Sequence, residues 1–217
     1  MVMWKMEHSL KVECYSSSLK QNGHSANEDA FIIIREPVYV AAVCDGAGNA
    51  EQAARKTLKL FQLWLRDASS TQILAPETWI RWSKMLDSAL LGGFESTFIA
   101  VAVLNEQIIG VSAGDSRAYL VGADGGCRFL TASSSKMRLG SGEVKPFVFS
   151  LAPKHKDIVL LMTDGAWTPL SPYLIEKTTR KAALEHFSEV PAALLNTASK
   201  TGRWDDMTVV ALRLMRV

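Results

Sequence analysis

Three aspartates of this 217-residue chain stand where apolar runs stop, each with a glycine beside it. Asp45 follows Val43-Cys44, Asp115 follows Ala113-Gly114, and Asp164 follows Leu161-Met162-Thr163. A glycine carries no side chain, so Gly46 or Gly165 lets the backbone approach an ion and offer its carbonyl oxygen as a ligand. Two acidic pairs extend the set: Glu28-Asp29 ahead of the Phe31-Ile32-Ile33-Ile34 run and Asp205-Asp206 ahead of Thr208-Val209-Val210. Carboxylates converging at strand ends repel one another and are costly to bury without a cation, so their meeting predicts a metal site. A hard, all-oxygen ligand set with no Cys or His cluster favours Mg²⁺ or Mn²⁺ over zinc. Taken singly, each motif also has an ordinary reading, since Asp-Gly is a common turn dipeptide and an Asp pair can open a strand in a solvated loop.

Strands must carry these carboxylates. Short runs rich in Val, Ile and Phe read as strands at Leu10 to Cys14, Phe31 to Arg35, Val38 to Cys44, Thr97 to Leu104, Gln107 to Ala113, Ala118 to Val121, Phe147 to Leu151 and Thr208 to Leu214. The continuous apolar stretches Val40 to Cys44 and Val159 to Met162 predict strands covered on both faces. Helical periodicity follows the first glycine-containing loop, with Asn49 and Gln52 spaced for a capping box and Ala53, Ala54, Leu58, Phe61 and Leu65 on one stripe. A second helix starts near Pro76, with Trp79, Ile80, Met85, Leu86, Ala89 and Leu90 expected on its buried face, and stops at Gly92-Gly93. Pro172 to Phe187 and Pro191 to Ser199 read as two more helices, while the polar segment from Thr131 to Gly142 reads as a surface loop.

Composition narrows the function. With 48% hydrophobic residues the chain can build a sizeable core, and residues 1–217 are expected to form one domain. A net charge of only +2 lacks the concentrated basic face that nucleic-acid binding requires. Cys14, Cys44 and Cys127 are odd in number and far apart, which fits a reducing compartment rather than a disulfide framework. Neither a signal peptide nor a membrane span is read, so a soluble, cytoplasmic protein is expected, without nucleic acid or membrane as partner and monomeric.

The ordered succession Asn27-Glu28-Asp29-Ala30, Asp45-Gly46-Ala47-Gly48-Asn49, Gly114-Asp115-Ser116-Arg117-Ala118-Tyr119, Thr163-Asp164-Gly165 and Asp205-Asp206-Met207-Thr208-Val209 resembles the type-2C family of metal-dependent Ser/Thr protein phosphatases, in a compact bacterial form. The resemblance spans nearly the whole chain. It implies an α+β fold, a four-layer αββα sandwich of two central antiparallel sheets flanked by helices. It further implies two Mn²⁺ or Mg²⁺ ions, with Asp45 bridging both, the Gly46 carbonyl on one, and Asp164 and Asp205 on the other. Glu28 and Asp29 would hold waters bound to the ions. In family members with a third ion the aspartate matching Asp115 takes part, and a hydrogen-bonded turn is the equal alternative for it here. Catalysis through Asp45, Asp164 and Asp205 would then rest on a hydroxide bridging the two ions that attacks the phosphorus of phosphoserine or phosphothreonine. The implied partners are a phosphorylated protein substrate and a cognate Ser/Thr kinase.

The chain departs from the family pattern in places. His24 stands where the family has a substrate-gripping arginine, five residues before Asp29, and a neutral imidazole cannot supply the charged guanidinium fork. His24 is therefore either a weaker phosphate ligand or a surface residue without a role. The stretch between Asp115 and Asp164 lacks the family's helical flap, leaving Lys136 to Lys145 as a reduced flap or a plain loop. Two rival functions follow, a pseudophosphatase acting as a binding module and a hydrolase of small phosphoesters.

Overall fold

The computed structural model describes residues 10–21, 24–47, 51–104, 106–132, 134–202 and 205–216. Eleven strands among these residues form two antiparallel sheets. The first runs in the order β1 (Leu10–Leu19), β11 (Met207–Arg216), β10 (Ile158–Met162), β7 (Arg117–Val121), β8 (Cys127–Phe129). The second runs β2 (Asp29–Ile34), β3 (Tyr39–Ala47), β5 (Phe98–Leu104), β6 (Gln107–Ala113), β9 (Phe147–Leu151), with the two-residue β4 (Glu95–Ser96) pairing the end of β3.

The apolar runs explain the layering. Along β3, Val40, Ala42 and Cys44 point to one core, shared with helices α1 (Glu51–Arg66) and α3 (Pro76–Leu90), while Ala41 and Val43 point to a second core between the sheets. On β10, Ile158, Leu160 and Met162 face α5 (Pro172–Glu185) and α6 (Val190–Ser199), whereas Val159 and Leu161 join the same inter-sheet core. Because side chains alternate across a strand, a strand apolar at every position must be covered on both faces. The result is the expected four-layer αββα sandwich.

Several expectations need correction. Met85 is 43% exposed, not buried, because the core stripe of α3 runs through Trp79, Trp82, Leu86 and Leu90 at helical spacing and Met85 falls beside it. Phe61 of α1 closes on that stripe, edge-on to Trp82 with ring centroids 5.8 Å apart. The short α2 (Ser70–Leu74), with its Ser69 and Gln72 capping box, was not read from the sequence, nor was α4 (Asp164–Trp167). The Asn49 cap expected for α1 lies outside the described residues.

The segment from Thr131 to Gly142 is not a plain surface loop. Thr131 and Leu139 are buried, and Leu139 exchanges backbone hydrogen bonds with Ser96 at 2.9 and 3.1 Å. Asp87, a buried carboxylate on α3, accepts from Gly140 N at 2.7 Å and Gly142 N at 3.1 Å. Gly140 has φ +94°, and a Cβ there would lie 2.1 Å from the Phe94 carbonyl oxygen, so no other residue fits this turn. A polar composition concealed the anchoring because one apolar residue and one distant carboxylate supply it.

Asp87→Ala is expected to lower stability by about 2 kcal/mol or more, since it leaves two backbone donors unpaired. Chemical denaturation checks the loss, and limited proteolysis should find new cleavage near residues 136–145.

Candidate active site

The sheet pairings bring the predicted carboxylates to one edge of the sandwich. Asp29 opens β2 directly opposite Asp45 near the end of β3, so the two carboxyl-bearing residues are cross-strand partners. Asp45 is held through its backbone: its N–H donates to Thr97 Oγ1 at 2.9 Å, and its carbonyl accepts from Thr97 N at 2.8 Å and Ser96 Oγ at 3.1 Å. Thr97 Oγ1 in turn shares a 2.7 Å hydrogen bond with Ser116 Oγ, which ties the Asp45 strand end to the residue after Asp115. Gly46 N donates to the Glu28 carbonyl at 3.2 Å, which fixes the backbone of both residues at the site's edge.

The second sheet supplies the opposing wall. Thr163, fully buried, donates its hydroxyl to Asp29 Oδ2 at 2.8 Å and accepts from Thr208 N at 2.8 Å, linking β10, β11 and β2. Asp164 follows at the start of α4. A Cβ on Gly165 would fall 2.1 Å from the Asp206 carbonyl oxygen, so only glycine lets the Asp164 turn pass the Asp205-Asp206 turn. Asp205 is exposed and accepts the Asp206 N–H at 2.9 Å. Asp206 is buried and accepts from Gln21 N at 2.6 Å and Glu28 N at 2.7 Å, so this member of the pair clamps the segment leading into β2.

Asp115 sits in the turn between β6 and β7. Its carbonyl accepts Trp167 Nε1 at 3.0 Å, and its carboxylate receives Arg138 Nη2 at 3.4 and 3.5 Å. Arg117 lies between two rings, 3.2 Å from the Trp167 centroid and 4.5 Å from that of Phe129, and donates to the Tyr119 hydroxyl. His24 stands beside Asp206, its Nδ1 3.6 Å from Asp206 Oδ2, too far for a hydrogen bond. Sequence reasoning missed Arg138; its only sequence signal was its position inside the segment suspected of acting as a reduced flap.

Electrostatics set the chemistry. Burial first, then the charges of Asp29 and Asp164, push the Asp45 carboxyl well above the usual carboxylate range. Burial also raises Asp29, against the hydroxyls bonded to it and with Asp206 and Asp164 adding to the rise; burial and Asp205 raise Asp164. The buried Oδ1 of Asp29 has no hydrogen-bond partner among the described residues. Repelling carboxylates with an orphaned buried oxygen suit divalent cations, whose charge would remove the repulsion. Among the described residues no three His, Cys, Asp or Glu side chains close around one point.

Residues 36–215 match the family model described as Stage II sporulation protein E (SpoIIE). No curated protein sequence matches the chain. Among solved structures, the chain is similar to the catalytic domain of the serine/threonine protein phosphatase PstP in complex with 2 manganese ions, at 21% identity and TM-score 0.79, covering 95% of this chain and 100% of that one. It is similar to the serine/threonine phosphatase Stp1 from Staphylococcus aureus at 18% identity and TM-score 0.83, covering 98% and 99%. The S. agalactiae serine/threonine phosphatase superposes at 18% identity and TM-score 0.79, covering 94% and 99%. At these identities the likeness establishes a shared fold, and the two-sheet sandwich read from the motifs is that fold.

A carboxyl whose proton is held more tightly in the folded than in the unfolded chain stabilises the fold while protonated, and that stability is lost as pH rises past the unfolded value. Without metal, the thermal midpoint is therefore expected to fall from about pH 4 to about pH 9, since Asp29 is pushed up to about 7 and Asp45 to about 9. Asp45→Asn should flatten that fall and remove the stabilisation that Mn²⁺ gives the unmodified chain. Melting curves across pH, with and without Mn²⁺, check this, and a metal-free midpoint that climbs with pH would contradict it.

Proposed function

The chain belongs to the Stage II sporulation protein E (SpoIIE) family, and from that premise we propose that it is a metal-dependent phosphatase of phosphoserine and phosphothreonine in proteins. The observation that supports this most directly is the convergence of Asp29, Asp45, Asp115, Asp164 and Asp205 at one edge of the sandwich, where burial and mutual repulsion raise the proton affinity of Asp29, Asp45 and Asp164. A purely structural edge would not retain so unfavourable a cluster. A cytoplasmic phosphoprotein substrate, and a Ser/Thr kinase whose product it reverses, complete the reading.

Asp45, the Gly46 carbonyl, Asp164 and Asp205 would hold two divalent cations, Mn²⁺ or Mg²⁺, with Glu28 and Asp29 holding water beside them. When bound, such ions supply positive charge for the phosphate oxygens and lower the proton affinity of water. The chain's own residues do the rest by fixing geometry. Thr97 and Ser96 grip both backbone groups of Asp45, so its carboxylate is presented from a rigid strand end. Thr163 orients Asp29 through Oδ2, leaving Oδ1 without a hydrogen-bond partner among the described residues. Asp206, bonded to Gln21 N and Glu28 N, holds the segment carrying Glu28 against β11. Catalysis of this kind is mostly positioning and charge stabilisation, and it requires no covalent intermediate on the protein. Cys44, buried in β3, is out of reach as a nucleophile.

Metal-stripped protein is expected to release phosphate from a phosphothreonine peptide only when Mn²⁺ or Mg²⁺ is added, and Asp45→Asn should reduce that rate by about 10²-fold or more. Mn²⁺ binding without release from any phosphopeptide would favour a binding module. Release only from small phosphoesters would make it a general phosphoester hydrolase.

A further inference from the structure

The charges at the site's edge are unequal. Asp115, Asp45 and Asp164 act on one another as like charges, and the Arg138 guanidinium is a positive side chain that acts on all three. Its guanidinium approaches both carboxylate oxygens of Asp115, at 3.4 and 3.5 Å, with each side chain roughly a quarter exposed. The pairing does not rest on a loose surface arm. Arg138 precedes Leu139, whose backbone is paired to Ser96, and its carbonyl accepts the Ser141 hydroxyl at 2.8 Å. Asp87 then holds Gly140 and Gly142 from α3. Ser96 also bonds the Asp45 carbonyl, so one short strand fixes both Arg138 and the Asp45 strand end.

We infer that Arg138 is a resident cation of the site, neutralising Asp115 from within the chain and occupying the carboxylate that would otherwise draw a further metal ion. The inference deepens the reading of the site as a metal-dependent phosphatase and rests on it. A guanidinium is permanently charged and needs no recruitment from solvent, so Asp115 is balanced at any metal concentration. A divalent ion approaching Asp115 would meet the positive charge of Arg138 and compete with it for both carboxylate oxygens. The site would therefore load two ions and exclude a third. Arg138 acts here through Asp115, as a positioning and charge-balancing residue.

Counting Mn²⁺ bound to metal-stripped protein by equilibrium dialysis tests this without reference to activity. The unmodified chain is expected to saturate at two ions. Arg138→Met should take up a third, which Asp115→Asn in the same background should remove, while Arg138→Lys, which keeps the charge, should remain at two. Because Arg138 is partly exposed and Asp115→Asn is nearly isosteric, the far-ultraviolet spectrum of each variant should match the parent's. Saturation at two ions in Arg138→Met with unchanged affinities would overturn the inference alone. So would a third ion in the unmodified chain that Asp115→Asn abolishes. Failure of the unmodified chain to bind Mn²⁺ at all would instead overturn the metal-dependent reading, and this inference with it.

Discussion

Asp29 and Asp45 face each other across one rung of the β2–β3 ladder, with Asp164 and Asp206 close enough to raise the proton affinity of Asp29 further. Like charges directly opposite on a sheet are destabilising, and burial removes the water that would screen them. Much of the surrounding structure reads as a response to that repulsion. Thr97, Ser96 and Thr163 commit hydroxyl groups to the strand ends, and Asp206 spends its carboxylate on two backbone donors. These are short-range bonds with little freedom. They hold the charged groups in place when nothing else favours their proximity.

Such rigidity needs a scaffold that does not yield, and the two-sided burial of the central strands provides it. Every residue from Val40 to Cys44 on β3 and from Ile158 to Met162 on β10 is buried, so a slide by one residue would force side chains of different size to refit two close-packed cores at once. Register is thereby fixed from both sides. The positions of Asp45, just past Cys44, and Asp164, two residues past Met162, follow from that register. The aromatic group of Phe61, Trp79 and Trp82 seats α1 and α3 on the outer face of the β3 sheet, and α5 and α6 seal the β10 sheet in the same way.

The segment between Asp115 and Asp164 shows how a short connection can serve the site without a separate lid. Leu139 enters the helix-side core, Asp87 ties the following turn, and Arg138 between them meets the Asp115 carboxylate. Two distant parts of the chain, the α3–β4 region and this segment, thus meet to set one guanidinium. Its charge opposes the raised proton affinity of Asp45 and Asp164, the same effect that bound cations would have on a larger scale.

Most of the architecture was legible in the sequence, and so were the strand-end positions of the candidate carboxylates, because both leave local signatures; the anchoring Asp87 was not. A strand buried on both faces is an unbroken apolar run, a helix packed on one face has a periodic stripe, and an aspartate at a strand end is followed or preceded by glycine. Gly165 shows the limit of that reading: the dipeptide marked a turn, but the reason for glycine is the carbonyl oxygen of Asp206, far along the chain. The tertiary structure alone decided which residues of each pair turn inward, sending Asp206 into the fold and Asp205 to the surface, and it set His24 beside Asp206. It also decided that Arg138 belongs to the site and that Met85 does not belong to the core. Hydrogen bonds and ion pairs between distant segments have no periodicity and no fixed spacing, so only the folded chain reveals which polar residues meet.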